Sequence, residues 1–548
     1  MKNKTRNDWL FIVSIFLIAF FSDIFILKEI LKHAFPLGDE YSLMAESLKP
    51  SFSWILSGYK EYFIVYPEYT VPFTNFIRPV ANIIYFLFSY SNNQYISQLI
   101  LINFLIHALI CALLFYISND LGNSRKFSAT TALIAFFIPA FWLSPMVSHP
   151  SFSLDAIATF LCTLSLILIN KEKKFWGFLL LILSLFTKES TLPIILSIII
   201  FGFITKRTQL IIYSILILTF WILLRKLTYG PVYSGAYSFN EYSILTFIQR
   251  FGSAVTLPLG NFAIADLRKL LFDKSINISF TYLLSNLTAW LLTLFLLYKN
   301  ISLLKAKNSF LLIFVISTVG SVAFYIFIGG DTRFSYLPAI FWLIVLMAFP
   351  NSKIRNFIVV MMAISSFLSF MLRPNYINES TKFQYAAAKN LADFLNSNNI
   401  SGEVYLFNDF FINFSKDINF AKFSKSDAEL FRGSSISIGG CNLNDLSSIK
   451  TTLINNDSSV KRLKVSLPQC AHFQFEGVSD EKLLSNLKGD ILYRNSQISY
   501  QFKDMIIGNT RITKKPLIVH YGREMEVIIS NSPIIYFNFD KNSWVYVN

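Results

Sequence analysis

Residues 9–27 read WLFIVSIFLIAFFSDIFIL. At 1.5 Å per residue, such a run is long enough to cross a hydrocarbon core of about 30 Å as one helix. Lys2, Lys4 and Arg6 precede it, which predicts a cytoplasmic N-terminus. A secretory signal peptide is the competing reading. No small-residue cleavage site follows the run, so it reads as an anchored helix.

The rest of the chain has the same character. Of 548 residues, 54% are hydrophobic and only 15% are charged. Soluble domains carry about a quarter charged residues. This chain could not cover a soluble surface, which excludes a soluble enzyme. Phe alone occurs 57 times, against 20 Gly and 17 Pro, which excludes collagen-like and disordered classes. The expected class is a polytopic membrane protein.

Further apolar runs lie near 96–118, 127–143, 152–170, 175–187, 191–205, 209–226, 280–298, 308–328, 334–350 and 356–372. With the first they predict about eleven spans. The runs 175–187 and 191–205 are short, so these helices are expected to be broken, or one to be re-entrant. Charge tests the alternation. The loops 119–126, 171–174, 206–208, 299–307 and 351–355 hold twelve Lys and Arg. The short loops on the other side, 144–151, 188–190 and 329–333, hold two. That asymmetry places the first group in the cytoplasm. It also explains the net charge of +15 as a topology signal rather than a polyanion-binding surface. The expected location is the plasma membrane, the inner membrane of a bacterium.

Two outer segments are long, 29–95 and 227–279. Within the first, 76–90 (FIRPVANIIYFLFSY) is apolar between polar turns and reads as a helix lying at the interface. From about residue 374 the composition changes. Residues 374–548 hold 19 Lys/Arg and 17 Asp/Glu, with short apolar stretches such as 404–407, 491–493 and 527–529 between turn residues. This predicts a soluble α/β domain, and an odd number of spans puts it outside the cytoplasm.

Cys111 and Cys162 fall within apolar runs and read as small hydrophobes. Cys441 and Cys470 are the tail's two cysteines. An oxidising compartment predicts a disulfide between them, worth about 3 kcal/mol by loop entropy. Labelling of both as free thiols in the native protein would refute it.

Five clusters on the outer side could carry chemistry. Gly38-Asp39-Glu40-Tyr41 follows the first run. One of its two carboxylates could take a proton from a nucleophile while the other orients it; Asp39 could equally cap a helix. Arg78-Pro79 precedes the interfacial helix, where arginine can grip phosphate bidentately or snorkel to headgroups. Thr187-Lys188-Glu189-Ser190 lies between the two shortened runs. Broken helices around charge suggest a lined site; a solvated turn is the plainer reading. Gly329-Gly330-Asp331-Thr332-Arg333-Phe334-Ser335-Tyr336-Leu337-Pro338 offers a close-approach backbone, an arginine for phosphate and a tyrosine hydroxyl, or an ordinary Gly-Asp turn. His149 and Asp155 flank the start of the fourth run.

In this order, these clusters resemble the GT-C superfamily of polytopic glycosyltransferases. They are most similar to protein O-mannosyltransferases and to bacterial membrane mannosyltransferase-like proteins. The acidic pair Asp39-Glu40, Arg78-Pro79, His149-Pro150 with Asp155, Thr187-Lys188-Glu189-Ser190 and Arg333-Phe334-Ser335-Tyr336-Leu337-Pro338 carry the resemblance, which covers about residues 1–370. It implies transfer of a sugar from a polyprenyl-phosphate carrier to an extracytoplasmic acceptor, a glycan, a lipid or a protein, with inversion. It implies Asp39 as general base and Glu40 as its orienting partner. Arg78, Lys188 and Arg333 would hold the carrier phosphate. Tyr41, His149, Asp155, Glu189 and Tyr336 would line the substrate site. The first outer loop lacks Asp-x-Asp, so no metal or other cofactor is expected, and no nucleic-acid partner.

Two other classes stay open. A surface-polysaccharide polymerase or ligase has about as many spans. It would place key arginines in a large later loop, where 227–279 has Arg250 and Arg268. A lipid-linked sugar flippase or transporter would show inverted repeats and charges within the spans.

Overall fold

The structure is a computed structural model. It describes residues 6–33, 78–89, 95–142, 153–229, five positions between 291 and 299, 309–328, 336–371, 374–407, 428–432, 449–456, 460–466, 472–474, 491–494, 498–507, 518–530, 533–538, 541 and 543–547. These residues form two compact units, one holding those up to Glu379 and the other those from Ser380 on.

The first unit is helical. Its long elements are α1 (Arg6–Ile26), α2 (Pro79–Ser89), α3 (Tyr95–Asp120), α4 (Arg125–Phe136), α5 (Ser153–Asn170), α6 (Lys174–Thr187), α7 (Leu192–Thr205), α8 (Thr208–Tyr229), α9 (Ser309–Ile328), α10 (Tyr336–Ala348), α11 (Lys353–Met371) and the start of α12 (Pro374–Ser397). Each apolar run thus folds as a helix, except 280–298, which lies mostly outside the described residues.

Among the described residues, two helices, Asp8–Ile26 and Ser97–Asp120, are long and apolar enough to cross a membrane. Six other apolar helices run 10–17 residues, among them Leu154–Asn170, Lys174–Thr187 and Tyr336–Ala348. The shortening has identifiable causes. The run 127–143 stops as a helix at Phe136, and a separate turn begins at Pro139, whose ring excludes the residue before it from helical geometry. The stretch 174–205 breaks at Lys188, whose backbone is extended (φ −157°, ψ 133°). A 3₁₀ turn, Glu189–Thr191, then leads into α7, which has a proline in its first turn. The two runs thus fold as two separate short helices, Lys174–Thr187 and Leu192–Thr205.

Helices close in chain order pack side by side: α1 on α3, α3 on α4, α5 on α6, α7 on α8 and α9 on α10. α9 packs tightly on α7 at Gly320. A Cβ there would lie 2.6 Å from Ser197 Oγ, so a larger residue would push the helices apart.

The polar residues at the helix termini sort into two groups. At one end, Arg125 pairs with Asp8, Lys171 with Asp120, Arg207 with Glu172, and Arg355 bonds Asn123 and the Phe349 carbonyl. These residues fall in or beside the loops that charge counting assigns to the cytoplasm. At the other end lie Arg78, Asp155 and Lys188-Glu189. Between them α1 exposes Trp9, Phe11, Ile18, Phe21 and Phe25, and α8 exposes Ile212, Leu216, Phe220 and Leu223. Contiguous apolar faces of this kind mark contact with lipid or another protein.

The second unit holds the rest of α12 and two sheets. β1 (Gly402–Phe407) lies parallel to both β2 (Ala428–Arg432) and β9 (Ile534–Asn538), and β10 (Ser543–Val547) runs antiparallel to β9. Ile534, Ile535, Tyr536 and Phe537 are buried in succession, as expected of an inner strand covered on both faces. α12 buries Ala387, Ala388, Leu391, Ala392 and Leu395, a helical stripe, and Trp544 Nε1 donates to the Ala387 carbonyl at 3.1 Å. The other sheet is antiparallel, in the order β3 (Lys450–Asn456), β4 (Val460–Ser466), β8 (Ile518–Ser530), β7 (Ile498–Ile507), β6 (Ile491–Arg494), with β5 (His472–Gln474) also on β8. The mixed helix-and-sheet character expected of the tail is therefore present. Cys441 and Cys470 lie outside the described residues.

Candidate functional site

Four of the candidate side chains meet at one end of the helical unit. Arg78 sits immediately before Pro79, and its carbonyl accepts the first helical bond of α2, from the Asn82 N–H at 2.9 Å. That position points a side chain from the helix start rather than from its wall. Asp155 lies in the first turn of α5. Lys188 and Glu189 form the break between α6 and α7. The extended Lys188 turns the chain, and Thr191 Oγ1 fixes the turn by donating to the Lys188 carbonyl at 3.0 Å.

The four side chains form two ion pairs. Arg78 grips Glu189 with a two-pronged contact: Nε donates to Oε2 at 2.8 Å, and Nη2 donates to Oε1. Lys188 Nζ donates to Asp155 Oδ2. Side-chain exposure is 11% for each member of the first pair, and 5% and 4% for the second. The two pairs are neighbours, since Lys188 and Glu189 are adjacent in sequence. Burial by itself pushes the Glu189 carboxyl up. The Arg78 charge and hydrogen bonds, then the Lys188 charge and a backbone hydrogen bond, outweigh burial and hold it below the usual range. Glu189 is therefore ionised at neutral pH. The stability this shift contributes is complete above the ordinary glutamate range and is lost as pH falls through the lower folded value.

Beside the pairs lies a small cavity of about 10 Å³, room for about one water. Asp155, Thr159, Ser190, Ser321, Phe324, Leu337 and Pro338 line it. It therefore joins α5, the 3₁₀ turn, α9 and the start of α10. Thr159 and Ser321 were not flagged by sequence, because each hydroxyl sits in an otherwise apolar run.

Tyr336 begins α10. It is fully buried, and its hydroxyl lies 2.9 Å from His107 Nδ1. His107 Nε2 lies 3.1 Å from the Phe136 carbonyl, which can only accept. Nε2 therefore carries the hydrogen, and in the neutral ring Nδ1 accepts from the tyrosine. His107 also stacks on Phe141, with ring centroids 3.7 Å apart. The tyrosine thus ties the start of α10 to α3 and to the end of α4.

Asp39, Glu40, Tyr41, His149 and Arg333 lie outside the described residues. Among the described residues, no three His, Cys, Asp or Glu side chains gather as a metal site would require.

Comparison with protein-family models, with characterised proteins and with solved structures finds no match to this chain. Among the described residues, the fold is mainly helical, with two helices long and apolar enough to cross a membrane and a two-sheet unit.

Proposed function

We propose that this protein is an integral membrane glycosyltransferase of GT-C type. It moves a sugar from a polyprenyl-phosphate donor to an extracytoplasmic acceptor and inverts the anomeric centre. The observation that supports the reading is the meeting of Arg78, Lys188, Glu189 and Asp155 at one end of the helical unit, although up to 111 positions separate the bonded partners. That end is the one loop charge assigns to the outer face.

In this mechanism Asp39 takes the proton of the acceptor nucleophile as it attacks the anomeric carbon. Glu40 orients Asp39 or the acceptor. The bond from that carbon to the phosphate oxygen breaks, and its electron pair leaves with the phosphate. Cations fixed in advance stabilise the charge that develops there. Arg78, Lys188 and Arg333 supply them. The carboxylates of Glu189 and Asp155 set the directions of Arg78 and Lys188 before the donor arrives. Tyr41 and His149 belong to the acceptor side of the same site. A lipid-borne donor requires the reaction to sit at the membrane surface, which is why the site lies at helix ends.

The proposal carries the eleven-span topology with it. Reporter fusions at about residues 122 and 400 should report cytoplasm and exterior respectively. A cytoplasmic signal at 400 would overturn the span count and move the tail domain to the wrong side. Transfer of label from a polyprenyl-phosphate sugar by the purified protein tests the activity itself. A polymerase or ligase would instead join lipid-linked oligosaccharides, and a flippase would move the lipid with its label still attached.

A further inference from the structure

α1 is an exposed, apolar helix: only 11% of its spanning window is buried. The part that is enclosed forms a stripe through Ala19, Asp23 and Leu27, four residues apart, on the face that meets α3. Asp23 is therefore the acidic member of a packing face. Its exposure is 0%, and among the described residues neither carboxylate oxygen has a hydrogen-bond partner. Among the described residues, Cys111 of α3 and Tyr336 of α10 lie within electrostatic reach of its charge. Among the described residues, charged groups that flank α1 have other contacts. Arg125 of α4 pairs with Asp8 near the far end of α1, and Glu29, beyond the near end, contacts Lys32 and His33.

A carboxylate enclosed with neither countercharge nor donor is costly by several kcal/mol. What such a site lacks is a cation. We infer that Asp23 is a proton-binding site within the helical bundle, its bound proton neutralising the carboxylate. The place matters because Tyr336 lies within electrostatic reach of it. The Tyr336 hydroxyl holds His107, and the next two residues, Leu337 and Pro338, line the cavity next to Asp155. A charge change at Asp23 would thus be felt at Tyr336, the residue that precedes Leu337 and Pro338 in the cavity wall.

The test uses the full-length protein in lipid bilayers at neutral pH. Dicyclohexylcarbodiimide attacks protonated carboxyls in apolar surroundings, and peptide mapping locates the adduct. The inference expects an adduct on Asp23 and at least a tenfold loss of total labelling in Asp23→Asn. Infrared difference spectra of the two proteins should show a protonated-carboxyl band in the native one only. If Asp23→Asn fails to fold, labelling of the native protein still decides. An unlabelled Asp23, or a carboxylate band in its place, overturns the inference. Labelling suppressed by sodium or potassium would overturn it in favour of an alkali cation. Neither result bears on sugar transfer.

Discussion

Lys188→Met should destabilise the folded protein by about 3–5 kcal/mol, the usual cost of removing one partner from a buried ion pair. The reason is the state of Asp155 after the change. Its side chain is 4% exposed, and Lys188 is the cation it meets. Methionine fills the lysine stem's volume but leaves the carboxylate charged and enclosed. Removing the charge of Asp155 as well, in Lys188→Met with Asp155→Leu, should recover most of the loss, because a buried pair and an apolar pair of similar size are close in stability. Unfolding of the detergent-solubilised protein measures both variants. A single variant as stable as the native protein would mean that the pair is loose and solvated. The double variant has a second use. It should be folded yet impaired with the donor, because the proposal gives Lys188 a phosphate to hold. Arg78→Gln should behave like the first variant, by way of Glu189.

Asp39→Asn should lower transfer by about 10²–10⁴, the usual contribution of a positioned general base. The amide keeps the carboxylate's shape and removes its basicity, so folding and insertion should be unchanged. Glu40→Gln should cost less if Glu40 orients and does not itself take the proton. Initial rates at saturating donor and acceptor separate the two residues. Near-normal turnover in Asp39→Asn would return Asp39 to the role of a helix cap.

The sequence makes the helices legible because apolar length and loop charge are local properties. Lys188 illustrates the same point: a charged turn between two short runs predicts a break, and the chain breaks there. Partnership is less legible. Asp155 lies 33 positions from Lys188, and Glu189 lies 111 from Arg78. Sequence marks all four as candidates but cannot say that the carboxylates face the cations, since helix packing decides it. The contact of Tyr336 with His107 is hidden from sequence for a similar reason. Its partner, His107, stands inside the apolar run 96–118, where a lone imidazole is the only signal. Asp23 was visible too, as the one acid of 9–27. It is a charge inside an apolar run, the feature named above as a mark of a transporter. The alternation Ala19–Asp23–Leu27 would have placed it on a packing face.

The most direct measurement gives the purified full-length protein a set of radiolabelled polyprenyl-phosphate sugars and an extract of extracytoplasmic acceptors. The account predicts that label from one donor leaves the lipid for a water-soluble, protein or second lipid product, with inverted anomeric configuration, and that Asp39→Asn leaves it on the donor. Label retained on every donor by the folded native protein, with or without movement across the bilayer, would contradict it.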